Sequence, residues 1–162
     1  MAKKEKEVKT NAMRILDRMK ITYTHQSYEC AEFVDGMETA RKLGLPFEKV
    51  YKTLVTVGSD KQHYVFVLPI ESELDLKKAA KAAGVKSIAM IPVKELTNLT
   101  GYVRGGCTAI GMKKQFPTIL SDKAQSLSDI YVSGGKIGCQ MNLSPDDLLR
   151  ASGGRYGDIL VS

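Results

Sequence analysis

The sequence predicts one α+β (mixed α/β) domain on a single curved sheet, and three observations carry that reading. Two β-rich runs, Tyr51–Val57 and Gln62–Leu68, flank the turn Gly58-Ser-Asp60 and form a hairpin. Hairpin-like segments then alternate with short helical patterns, an arrangement that argues against a doubly wound parallel sheet. The 162 residues contain no internal repeat and no linker, and a length of that order suits one core.

Taken in order, residues 1–9 form a basic tail with four lysines against two glutamates between Lys3 and Lys9, and the domain occupies 10–162. Thr10 caps a helix whose apolar positions Ala12, Met13, Ile15, Leu16 and Met19 recur at helical spacing. Ile21–Tyr28 alternates as a strand. Asp35 with Glu38 forms a capping-box variant, and Gly44 supplies the stop for a helix through Met37, Ala40 and Leu43. Pro46 begins a turn before the hairpin. Asp75 caps a helix Leu76–Ala83 that ends at Gly84 and spreads Lys77, Lys78 and Lys81 over its outer surface. Ser87–Ile91 is a short strand, and Pro92 opens a helix to about Leu99. Thr118–Leu120 and Ile130–Ser133 are strands, and Gly134-Gly135-Lys136 turns the chain into Ile137–Leu143. Ser144-Pro145-Asp146-Asp147 combines a capping hydroxyl, proline at the first helical position and acids in the first turn. That helix stops at Gly153-Gly154, and Asp158–Val161 is expected as a final strand.

Composition narrows the function classes. With 43% hydrophobic residues the chain can fill a core, and no apolar run approaches the ~20 residues that span a bilayer. The start Met-Ala-Lys-Lys lacks a signal peptide's apolar segment, so a cytoplasmic location and no membrane partner are expected. Cys30, Cys107 and Cys139 are odd in number and far apart. With His25 and His63 they suggest neither a disulfide framework, a metal site nor a cofactor. The net charge of +6 mildly favours anionic partners, nucleic acid among them.

Familiar catalytic sets are missing: there is no G-x-S-x-G elbow and no H-E-x-x-H. The stretch Thr100–Gly111 instead concentrates four of the 14 glycines. It fits neither a P-loop nor a dinucleotide fingerprint. It reads either as a tight turn or as a wall of exposed backbone N–H groups facing an oxyanion. Lys52, at the head of the first hairpin strand, shares a strand face with Leu54 and Thr56. A lysine there either handles an anion or a proton, or simply blunts a sheet edge. Tyr28 is a core, interface or site tyrosine, and Arg104 a phosphate ligand or a solvent-facing loop residue. Cys107 is either a small buried thiol or a nucleophile that no histidine is placed to activate.

Four phrases in fixed order carry a resemblance: Lys-Leu-Gly-Leu-Pro (42–46) with Val-Tyr-Lys-Thr-Leu-Val (50–55), Leu-Asp-Leu-Lys-Lys-Ala-Ala-Lys-Ala-Ala-Gly (74–84), Thr-Gly-Tyr-Val-Arg-Gly-Gly-Cys-Thr-Ala-Ile-Gly (100–111) and Ile-Tyr-Val-Ser-Gly-Gly-Lys-Ile-Gly (130–138). From about residue 10 to 160 the chain resembles the YbaK/prolyl-tRNA-synthetase-associated domain family, and within it the free-standing Cys-tRNA(Pro) deacylases. The resemblance implies a mixed, barrel-like sheet flanked by helices. It implies editing in trans, with aminoacyl-tRNA 3′ ends as substrate, prolyl-tRNA synthetase as partner and no cofactor or metal. The cysteinyl sulfur would attack its own ester, so the protein need only position the substrate and stabilise charge.

Carried over by position, Lys52 and Gly105 are the catalytic residues, Lys52 gripping the terminal adenosine or its phosphate. Tyr28, Gly106 and Ser133 border the substrate, with Arg104 beside them. Two positions depart from the family pattern: Gln140 stands where some members carry an acid, and Phe33-Val34-Asp35 does not clearly match an aromatic found before the second helix. Both bear on amino-acid preference rather than on deacylation itself. An alanine-specific deacylase using water and a non-catalytic aminoacyl- or nucleotide-binding regulator are the alternative readings.

Overall fold

The computed structural model describes residues 9–27 and 36–162, and the expectations for Tyr28, Cys30, Phe33, Val34 and Asp35 lie outside those residues. Helices are α1 (Asn11–Arg18), α2 (Gly36–Leu43), α3 (Leu76–Ala83), α4 (Leu96–Thr100) and α5 (Pro145–Ser152). Strands are β1 (Thr24–Ser27), β2 (Tyr51–Gly58), β3 (His63–Pro69), β4 (Ile88–Met90), β5 (Thr118–Ser121), β6 (Ile130–Ser133), β7 (Cys139–Leu143) and β8 (Arg155–Gly157).

Local chemistry explains most boundaries. The Thr10 side chain accepts the Met13 N–H, Asp75 accepts those of Lys77 and Lys78, and Ser144 accepts that of Asp147. Each thereby satisfies donors that a helix start leaves unpaired. Gly84 and Gly153 close α3 and α5 with φ of 78° and 72°. Lys9, the last lysine of the basic tail, pairs with Asp17 of α1 at 2.5 Å.

The strands form two ladders where the sequence suggested one surface. A five-stranded sheet has the order β4-β2-β3-β5-β8, and a three-stranded sheet the order β1-β7-β6. The first is mixed: β4-β2-β3 is antiparallel, whereas β5 runs parallel to β3 and β8 parallel to β5. The second is antiparallel throughout. A parallel bridge between Val50 and Tyr131 joins the two ladders just before Lys52.

Burial explains why β3 reads as a continuous apolar run. Val65 and Val67 enter the main core with α1, α5 and the three-stranded sheet, while Tyr64, Phe66 and Leu68 pack beneath Ala79 and Ala80 of α3. A strand covered on both faces has no polar side. Ala40, Leu45 and Val50 form a third cluster, with Ile70 and Tyr131 packed against it, where the two sheets meet.

Three expectations need correction. The last strand is Arg155–Gly157, beside β5. Within Asp158–Val161 only an isolated bridge from Leu160 to Leu74 forms, made by the Asp75 N–H to the Ile159 carbonyl and the Val161 N–H to the Glu73 carbonyl. Residues Pro92–Leu99 are a 3₁₀ turn, Val93–Glu95, running into the five-residue α4. The strand expected over Ile21–Tyr28 begins at Thr24, since the Ile21 N–H bonds back to Leu16.

Candidate active site

Two long-range meetings make the site. The head of β2 lies against β6 through the Val50 bridge, and the glycine stretch after α4 folds onto the turn that joins β6 to β7. Between them opens a compartment of about 300 Å³ whose lining includes Lys52, Arg104, Gly105, Cys107, Ser133 and Gln140. Thus Lys52, Gly105, Arg104 and Ser133, separated by up to 81 positions in sequence, share one cavity.

The glycine stretch is shaped before any ligand arrives. Gly101 ends α4 with φ of 87°. Tyr102 is buried, and its hydroxyl donates to the Ile110 carbonyl at 2.5 Å, which pins the two ends of the loop together. Burial pushes its pKa to about 12. The Gly106 N–H bonds to the Val103 carbonyl at 2.9 Å, making a turn with Arg104 and Gly105 exposed at its tip. Gly105 has φ of 88°, the conformation glycine adopts without strain. Its N–H has no partner among the described residues.

Gly106 lies elsewhere than the sequence reading implied. It is buried behind the wall, where an added Cβ would sit 2.8 Å from Cα and C of Lys136. It acts by letting the loop touch the β6–β7 turn, and it is not among the lining residues. On that turn, the Ser133 hydroxyl accepts the Gly135 N–H at 3.2 Å, and Thr10 donates to the Gly134 carbonyl at 2.6 Å. The start of α1 therefore braces the wall.

Lys52 is half-buried, and its ammonium makes no hydrogen bond or ion pair among the described residues. Desolvation pulls its pKa below the ordinary lysine range, and the nearby Glu73 carboxylate opposes that shift. Gln140, which lines the same cavity, is 7% exposed, and its side-chain oxygen has no hydrogen-bond partner among the described residues. Cys107 is buried, and burial pushes its thiol to about 12, so it is held as the neutral thiol. Neither histidine is among the lining residues, and His63 packs on Phe116 with ring centroids 5.5 Å apart. Among the described residues no group of side chains could hold a metal ion.

Sequence reasoning missed Thr53, Leu54 and Ile70 as lining residues. Nothing in their local pattern marks them, because their role follows from how the sheets meet. The site therefore has a lysine, a backbone N–H unpaired among the described residues and polar side chains, set in a compartment that can position an ester and stabilise the negative charge its carbonyl oxygen gains on attack.

A cavity of this composition on this fold defines a class. Residues 33–151 match the aminoacyl-tRNA editing domain, and the chain belongs to that family. EbsC of Enterococcus faecalis, provisionally named a Cys-tRNA(Pro)/Cys-tRNA(Cys) deacylase, is 45% identical over 160 residues, covering 98% of each chain. Two solved structures share the fold. A candidate trans-editing enzyme for prolyl tRNA synthetase has a TM-score of 0.79 and 21% identity over 96% of this chain and 100% of its own. The hypothetical protein APE2540 has a TM-score of 0.82 and 22% identity over 91% and 97%. No described helix is long and apolar enough to cross a membrane.

Proposed function

We propose that this chain is a trans-acting editing deacylase that removes cysteine from Cys-tRNA(Pro), with the substrate's own thiol as nucleophile. One observation carries the reading: the compartment offers a half-buried lysine and a Gly105 N–H unpaired among the described residues, while its own thiol is held neutral and no histidine lines it. Such a site supplies position and charge stabilisation rather than a nucleophile.

In the reaction, Lys52 attracts the terminal phosphate and the ester, with Arg104 at the rim. The Gly105 N–H faces the carbonyl oxygen as it gains charge. Ser133 and Gln140 contact the aminoacyl group. The cysteinyl sulfur, having lost its proton, attacks the ester carbon; the C–O bond to ribose breaks, and the departing hydroxyl oxygen takes up a proton. The cyclic thioester that results is hydrolysed by water. Cysteine and proline are close in size, and one small pocket separates such pairs by only ~1–3 kcal/mol, so a second checking site is physically reasonable.

EbsC's name couples cysteine to two different tRNAs. That supports recognition of the amino acid by this chain, with tRNA choice supplied by prolyl-tRNA synthetase as partner. The deciding assay presents Cys-tRNA(Pro) and Ala-tRNA(Pro) side by side. Faster turnover of the cysteinyl ester is expected. Faster turnover of the alanyl ester would contradict the assignment, and cleavage of neither would favour a binding protein. Cys107→Ala should stay within about tenfold of the parent, because a neutral buried thiol contributes volume and no reactivity. A folded variant with no activity would restore Cys107 as nucleophile.

A further inference from the structure

A groove of about 570 Å³ opens at the end of the five-stranded sheet where β2 begins and β3 and β5 stop. Three carboxylates line it: Glu48 from the turn before β2, Glu71 after β3 and Asp122 after β5, with Lys123 as the one cation among the lining residues. None of the three makes a side-chain hydrogen bond or an ion pair among the described residues. The chain as a whole carries a formal net charge of +6, so this groove is negative on a basic molecule. Phe47, Pro69 and Leu127 add apolar surface to the same lining. Tyr51 lines it too. That residue is 3% exposed, and its hydroxyl has no hydrogen-bond partner among the described residues. Burial pushes the hydroxyl's pKa to about 12, so it stays protonated, a donor with nothing yet to donate to.

We infer that this groove docks a lysine- or arginine-bearing segment of a partner protein. Three features select that occupant. The carboxylates attract ammonium and guanidinium heads and orient their approach. The stems of lysine and arginine cover apolar surface while their heads stay at polar groups, which suits Phe47, Pro69 and Leu127 lying beside Glu48, Glu71 and Asp122. The Tyr51 hydroxyl can donate to a main-chain carbonyl, an acceptor that a polypeptide carries at every residue and a free polyamine lacks. Nucleic acid is the wrong sign, since its phosphates would face the same three carboxylates. The groove and the site compartment share Tyr51 alone, and none of the groove's charged residues lines the site. A segment seated there therefore leaves Lys52 free for substrate. This docking stands on the groove's own chemistry and holds whichever ester the site cleaves.

The test titrates three probes into methyl-labelled protein, followed by NMR: the acetylated and amidated peptides Lys-Leu-Lys-Leu-Lys and Glu-Leu-Glu-Leu-Glu, and spermidine. Deacylation of Cys-tRNA(Pro) is measured in parallel. The lysine peptide is expected to shift the Leu127 methyls and to bind on the order of tenfold more tightly than the other two probes. The double variant Glu48→Lys/Glu71→Lys, at exposed positions, should reverse the order and take the glutamate peptide on the order of tenfold more tightly than the lysine peptide. Its deacylation rate should stay within about twofold of the parent's, since both residues are exposed and outside the site lining. Equal affinity of the lysine peptide for parent and variant, or shifts that bypass Leu127, would overturn the assignment. Spermidine binding as tightly as the lysine peptide would also overturn it, by making the groove a site for small polycations. A parent that cleaves no charged tRNA but gives the expected peptide order contradicts the deacylase reading and leaves the docking groove standing.

Discussion

Lys52→Met should lower kcat/KM for Cys-tRNA(Pro) by about 10²–10³ while leaving the melting temperature unchanged or higher. The fall is the usual scale for losing one group aimed at developing charge in a water-poor site. The stability result follows from the direction of the lysine's shift. Its folded pKa lies below the ordinary 10.5, because burial penalises the ammonium more than Glu73 favours it. Between the lowered value and 10.5 the unfolded chain binds more protons, so the parent's stability rises with pH across that window. Methionine keeps the aliphatic stem, lacks the charge and has no such dependence. The variant's advantage in urea unfolding should therefore be present near neutrality and shrink as pH approaches 10.5. Equal losses of activity and stability at neutral pH would make Lys52 structural.

Gly106→Ala is the second large effect, and it is expected in both readouts. The new Cβ would lie 2.8 Å from Cα and C of Lys136 and 3.0 Å from the Ile137 nitrogen, all backbone atoms that no rotamer change can move. Forcing the loop off the β6–β7 turn costs about 1–3 kcal/mol. For a domain of this size that is about 2–12 °C in melting temperature. Because Gly105 and Ser133 sit on the two segments being separated, activity should drop about 10²-fold as well. Gly44→Ala is the control. Its φ of 70° is positive, unlike that of Gly106, and an added Cβ meets nothing within 4 Å, so the variant should lose about 1–2 kcal/mol to backbone strain alone and keep full turnover. Similar activity in both variants would show that close packing at Gly106 does not hold the site.

Much of this was legible in the chain because it is written locally. Thr10, Asp75 and Ser144 cap the helices they precede, Gly84 and Gly153 end theirs, and the hairpin pairs Tyr51 with Pro69 as its two β-runs require. The site was legible in a different way. Lys52 stood out as a charge within a β-rich run, and the glycine stretch as a loop built for close approach. Their meeting is a property of the Val50–Tyr131 bridge and of Gly106 against Lys136, contacts that join segments far apart in sequence.

The misreadings have the same origin. Arg155–Gly157 became the final strand because β5 offered it a parallel edge, and no residue pattern within Asp158–Val161 reveals that this segment meets only Leu74, in a single bridge. Gly106 looked like part of the lining because it follows Gly105, yet adjacent residues in a tight turn face different surroundings. Gln140 was noticed only as a departure; the structure adds that its oxygen is buried at the cavity and unpaired among the described residues.

The reacting sulfur, in this account, belongs to the substrate. Rates of release from tRNA(Pro) carrying cysteine, S-methylcysteine or serine in the same linkage address that directly. Cysteinyl ester should be cleaved faster than either of the others by 10³-fold or more, the scale that an intramolecular nucleophile commands over bulk water. Comparable rates for all three would mean that water is the nucleophile, and the account would be wrong at its centre.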